Sequence, residues 1–151
     1  PLESTRALAR MGLDVTALDW QRLGLPDSGV AGQEGLLIER LAALIRPQDR
    51  VITTWRFDGH CDHEATGRAT ASAVARQRAC LIEAPVWAWH WARPDDARIP
   101  WSRAHKYLLD PQVLAQKRQA IAAHVSQVSP PAVLSRETLE RLMQPFELVF
   151  L

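Results

Sequence analysis

Polar and apolar positions change along the chain in short blocks, and the period of each block predicts its element. Leu2, Ala9 and Met11 are interleaved with Glu3, Arg6 and Arg10, a helical spacing that Gly12 ends in the usual C-terminal position. Val15 to Leu18 reads as a short strand, and the dense turn cluster Gly24-Leu25-Pro26-Asp27-Ser28-Gly29 follows. From Gln33 to Arg46, Leu37, Leu41, Leu44 and Ile45 recur at helical spacing, with Pro47 just beyond the last turn. Val51-Ile52-Thr53-Thr54 is β-branched and predicts a short buried strand. The polar, glycine-broken stretch Trp55 to His63 is a loop, and it opens into an alanine-rich helix expected over Glu64 to Arg78.

In the second half, Cys80 to Trp91 reads as a strand with Trp87, Trp89 and Trp91 facing one way and Val86, Ala88 and His90 the other. A loop with Pro94, Pro100 and Trp101 precedes a strand near Lys106 to Leu109. Asp110 is a good N-cap, with Pro111 at the first position of a helix expected to reach Val125. Ser129-Pro130-Pro131 is a break, Ser135 caps a short helix, and Phe146 to Leu151 is a last strand. Short strands alternating with helices predict an α/β domain with a mainly parallel sheet flanked by helices.

Composition narrows this picture. The 151 residues amount to one domain, and 47% hydrophobic with 23% charged is an ordinary globular mixture that excludes disorder, collagen and coiled coil. A net charge of +1 argues against nucleic-acid binding, which needs a basic patch. Two cysteines, Cys61 and Cys80, build no multi-bridge framework, so a reduced, cytoplasmic setting is expected. There is no apolar run of roughly 20 residues to span a membrane and no signal segment. The chain starts at Pro1 without an initiator Met, from which we expect a longer gene product.

Candidate chemistry gathers in Gly59-His60-Cys61-Asp62-His63, between a strand and a helix. Ligands of open α/β sheets bind at the carboxyl ends of strands. Two imidazoles with a carboxylate between them offer donors that Zn²⁺ accepts, and proton carriers for a metal-bound water. The competing reading is a polar loop with two solvated histidines. Asp27 could reach the same sheet edge or be a plain turn-former. His90, His105 and His124 read as structural, the Trp87/Trp89/Trp91 stripe as core or a sugar cleft, Lys117-Arg118 as a solvated face, and Cys61 as a bystander.

The run Asp58 to Ala69 resembles the second signature of the LmbE/PIG-L type zinc-dependent N-deacetylases, usually Gly-His-Pro-Asp-His before an alanine-bearing helix. Leu23 to Asp27 is similar to the family's substrate-loop turn, Trp87 to Trp91 with Pro94 to its tryptophan-bearing strand, and Lys117 to Gln127 to its Lys-x-x-Ala … Ser-Gln helix. The resemblance implies a Rossmann-like fold and removal of an acetyl group from an N-acetylglucosamine-type conjugate. It makes His63 a zinc ligand (another divalent metal being equally acceptable), His60 the histidine at the tetrahedral intermediate or leaving amine, Asp62 the carboxylate orienting His60, and Asp27 a residue near the sugar. Cys61 stands where proline is usual. The family's first signature, Ala-His-Pro-Asp-Asp-Glu, which carries two further ligands and the general base, is absent from these residues. We therefore expect a single domain over 1–151, N-terminally truncated relative to the family and lacking its first strand, with an incomplete metal site. A short homologue that has lost metal and activity is the competing account. Loss of the first strand could leave an edge that recruits a second copy. A non-catalytic carbohydrate-binding or interaction module on the same fold is the alternative function.

Overall fold

The computed structural model describes residues 2–130 and 132–151; Pro1, and Pro131 of the expected break, lie outside the described residues. The chain divides into two compact units, one formed by the stretch up to Gln21 with Lys106–Glu147, the other by Arg22–His105 with Leu148–Leu151.

In the second unit, β1 (Arg50–Thr54) pairs in parallel with β2 (Cys80–Ala84), Arg50 lying opposite Cys80 and Thr54 opposite Ala84. Helix α3 (Cys61–Gln77) makes the crossover between them. It starts three residues earlier than its alanine pattern suggested, because His60 caps it: the His60 Nδ1 accepts the Asp62 N–H at 3.3 Å. It ends at Arg78 in the left-handed conformation, φ 56°. Its buried face is made of Ala65, Gly67, Ala69, Thr70, Ala73 and Val74, side chains small enough for close approach to the sheet and to α2 (Glu34–Leu44). A Cβ at Gly67 would sit 2.6 Å from the Thr54 carbonyl oxygen, so only glycine fits there. A 3-10 turn, Val30–Gln33, leads into α2.

Strand β4 (Phe146–Phe150) runs antiparallel to β2, with Glu83 opposite Phe150, and β3 (Ala104–Leu108) follows in the order β1-β2-β4-β3. The Leu151 N–H donates to the Arg103 carbonyl at 3.1 Å, joining the residue after β4 to the one before β3, so these two are antiparallel as well. The expected mainly parallel sheet is thereby corrected to a mixed one, still α/β and flanked by helices. Periodicity identifies strands but carries no direction, which the connections set. The buried core of this unit is Trp55, Ala88, Ile99 and Phe150, with Trp91, Ala92 and Ala104 packed against it.

Three further expectations change. Residues 15–18 form no strand: Asp14 accepts the Thr16 N–H at 2.9 Å, and its carbonyl accepts the Ala17 N–H, so a side-chain turn outcompetes extension. β1 is an end strand with Ile52 70% exposed, and Thr53 alone in it is buried. The strand expected over 80–91 stops at Ala84, and Ala88–Trp91 forms a one-turn helix, α4, so the tryptophans do not share one face.

In the other unit, α1 (Leu2–Arg10) packs on α5 (Pro111–Ala122) through the buried Ala7 and Ala120. Asp110 caps α5 by accepting the Val113 N–H at 2.9 Å, as its sequence predicts. That helix ends at Ala122 rather than Val125, and the short α6 (Val125–Val128) follows, its Ser126 hydroxyl donating to Glu3 at 2.6 Å. Ser135 caps α7 (Arg136–Leu142). Lys117 is not a solvated residue: its side chain is 15% exposed, and its ammonium meets the Phe146 carbonyl at 3.0 Å and the Glu147 carboxylate at 2.7 Å.

Candidate functional site

The chain turns from β1 into α3 through Trp55–His60, and a buried carboxylate organises this turn. Asp58, fully buried, accepts the backbone N–H groups of Val86, Trp87 and Ala88 at 2.9, 2.6 and 2.9 Å. Its Oδ2 also meets His63 Nδ1 at 2.6 Å, and its carbonyl accepts the Trp91 indole N–H at 2.8 Å. Burial pushes the Asp58 carboxyl up, but the His63 bond and the three amides outweigh it, and the net shift is downward. Asp58 is thus a carboxylate that can only accept, which places the His63 proton on Nδ1 and leaves the Nε2 lone pair free in the neutral ring.

Glu83, also fully buried, braces the same turn from β2. It takes Arg56 Nε at 2.7 Å, the Arg56 N–H at 3.2 Å and Arg103 at 3.2 Å. Burial again raises its carboxyl and the arginines more than reverse this. Gly59 completes the turn with φ +85°, and a Cβ there would lie 2.6 Å from Trp91 Nε1.

His60 sits beside His63 with ring centroids 4.6 Å apart. Because its Nδ1 accepts the Asp62 N–H, its neutral ring carries the proton on Nε2. The two imidazoles therefore present opposite functions, a donor at His60 and a lone pair at His63. Asp62 turns its carboxylate to the 26–29 turn, accepting the Ser28 N–H at 2.6 Å and the Val30 N–H at 3.2 Å. Its backbone, not its carboxylate, makes the hydrogen bond to His60. These contacts bring the exposed Asp27 within one residue of the site. One donor atom each from His60, Cys61 and Asp62 lies within 4.8 Å of the others, a nitrogen, sulfur and oxygen set that could hold a metal ion.

Trp87 walls the pair, 5.2 Å from His60 and 6.5 Å from His63 by ring centroids, and stacks on His90 at 4.2 Å. His90 thus belongs beside the site, whereas His105 is exposed at β3 and His124 precedes α6. Sequence reasoning gave Asp58 no role and misplaced Trp87. An aspartate just before a glycine turn, five residues ahead of a histidine, was the available signal for Asp58. No residue pattern announces a carboxylate that caps a distant turn.

A histidine held by a buried carboxylate, beside a second histidine of opposite tautomer, is a constellation suited to hydrolysis of an amide. The family model described as PIG-L: GlcNAc-PI de-N-acetylase matches residues 2–74, just under half of the chain, and supports its resemblance to that family. The match covers Asp27, His60, Asp62 and His63 and ends before the Trp87 and Lys117 segments. No curated protein and no solved structure matches the chain. Among the described residues, no helix is long and apolar enough to cross a membrane.

Proposed function

We propose that the protein is a metal-dependent hydrolase that removes the acetyl group from an N-acetylglucosamine-type conjugate, acting from the cytoplasm on a small-molecule substrate. The observation that carries this reading is the His63–Asp58 bond of 2.6 Å, inside the region that matches the family. Metal-ligating histidines characteristically donate their second ring nitrogen to a carboxylate, which fixes the tautomer and raises ligand basicity. His63 fits that role through Nε2, so the residues present suit a divalent cation of the zinc type. The neighbouring donor cluster of His60, Cys61 and Asp62 does not include His63. The remaining family ligands belong to the Ala-His-Pro-Asp-Asp-Glu signature, which these 151 residues do not include.

Bound there, a divalent cation supplies Lewis acidity and a water that ionises near neutrality. The chain's own side chains do the rest. His60, donating from Nε2, hydrogen-bonds the oxygen of the attacked carbonyl as it gains charge, or passes its proton to the departing amine. Asp62 fixes the Ser28–Val30 turn against the start of α3, which holds Asp27 at the rim for the sugar hydroxyls. Asp58 keeps His63 oriented, and Trp87 screens both imidazoles from water on one side. The proteins to compare are His63→Ala and His60→Ala in the complete gene product. His63→Ala should lose both metal and turnover, whereas His60→Ala should retain metal and lose roughly 10²–10⁴-fold in turnover, the range for a general acid. Equal metal loss in both variants, or full turnover in His60→Ala, would contradict these roles.

A further inference from the structure

Cys61 is the one residue between the two histidines that the hydrolase reading gives no task. It is exposed, it is the first residue of α3, and its Sγ lies 3.9 Å from Asp62 Oδ1. His60, Cys61 and Asp62 are consecutive, and one ligand-capable atom from each lies within 4.8 Å of the other two. Ligands around a tetrahedral zinc ion, at ~2.0–2.3 Å from the metal, stand roughly 3.5 Å apart. Small side-chain rotations therefore close this set onto an ion.

The donors differ in kind and are already oriented. In the neutral His60 ring the lone pair is on Nδ1, which accepts the Asp62 N–H over a long 3.3 Å. The ring is steadied by Trp87, edge-on at 5.2 Å. The Asp62 carboxylate accepts the Ser28 N–H at 2.6 Å and the Val30 N–H at 3.2 Å, the outer support that ligating carboxylates characteristically have. A thiolate and a carboxylate together carry the two negative charges that a divalent cation balances, and the first turn of a helix favours anionic groups. His63 is outside this set, its Nδ1 being committed to Asp58.

We propose that His60 Nδ1, Cys61 Sγ and the Asp62 carboxylate form a second cation site, for a thiophilic divalent ion of the zinc, cobalt or cadmium type, with its remaining position open to solvent. As the ion binds, the Cys61 thiol releases its proton to water and the ion replaces the Asp62 N–H at Nδ1. These two costs make it the weaker site, filled after the one assigned to His63. The sulfur donor selects against magnesium and calcium, which take oxygen ligands. The site stands apart from the hydrolase reading, since it uses neither His63 nor an acetamide.

The test is titration of the complete gene product with excess cobalt(II), followed by its sulfur-to-cobalt charge-transfer absorption in the near ultraviolet. The wild-type protein should develop this band, and Cys61→Ser, a change at an exposed side chain, should abolish it. Cys80→Ser, which removes the other exposed thiol, and His63→Ala should both keep it. His60→Ala and Asp62→Asn should each weaken cobalt binding at the band by at least about tenfold, since even an outer partner of a ligand is worth that much. No band in the wild-type protein, a band that survives Cys61→Ser, a band that requires His63, or unchanged affinity in both His60→Ala and Asp62→Asn overturns the site. Acetate release plays no part in this readout, so a band in a protein without turnover upholds the site and defeats the hydrolase reading alone.

Discussion

At the scale of single residues, Asp58 joins the scaffold to the chemistry. One carboxylate ties the turn at 86–88 to the histidine pair, with three amide bonds and one imidazole bond, and no water-exposed atom. Asp58→Asn removes the charge from these bonds and should cost about 2–3 kcal/mol at neutral pH, the upper range for hydrogen bonds to a charged group. The pH dependence has a definite sign. The folded-state carboxyl lies below its ordinary value of 3.8, so its contribution is complete above that pH and is lost as pH falls through the folded value. Urea unfolding of the two proteins should therefore show a constant gap down to about pH 5 and a narrowing gap below 3.8. A gap that widened in acid would contradict an ionised Asp58. Gly59 admits a similar test: Gly59→Ala forces a side chain into positive φ and against Trp91, and should cost about 1–3 kcal/mol, visible as lowered thermal stability with altered tryptophan emission.

At the scale of elements, α3 and its packing on β1 decide where the site lies. A helical glycine replaced by alanine ordinarily gains stability, but at Gly67 the added Cβ meets the backbone of Thr54 and Arg56 at 2.6–2.9 Å. Gly67→Ala should therefore destabilise by at least about 2 kcal/mol in thermal melts, through overpacking that backbone cannot relieve. Much of this architecture was legible in the residues. The alanine run of α3, the Asp110 and Ser135 caps and the β-branched run of β1 all announced their elements, because each depends on neighbours in sequence. The 80–91 segment misled for the opposite reason. Its alternating tryptophans have a strand's period, yet the amides of 86–88 are taken by Asp58, some 30 positions upstream, and bend the chain into α4. Direction in the sheet was hidden likewise, since β4 reaches β2 from a distant part of the chain. Within the site, His60, Asp62 and His63 were visible as a spaced motif. Their division of labour was not, because tautomers follow from partners that only folding supplies.

At the scale of the whole molecule, the chain joins a PIG-L-type segment, residues 2–74, to a second half that gives the segment its buried partners within the unit Arg22–His105 with Leu148–Leu151. Glu83 and Arg103 come from outside the matched residues and brace Arg56 inside them. Arg56→Ala should therefore destabilise the entire unit by about 2–3 kcal/mol, by leaving a fully buried carboxylate with one fewer partner. Circular dichroism melts of this variant should retain a single transition for that unit at lower temperature. The account as a whole stands on a divalent ion held at His63 and used against an acetamide. Its most direct test is acetate release from N-acetylglucosamine conjugates by the complete gene product, measured before chelation, after chelation and on return of zinc. Release that vanishes with the metal, recovers with it, and is absent in His63→Ala is the predicted result; release that persists through metal stripping and in His63→Ala would contradict it.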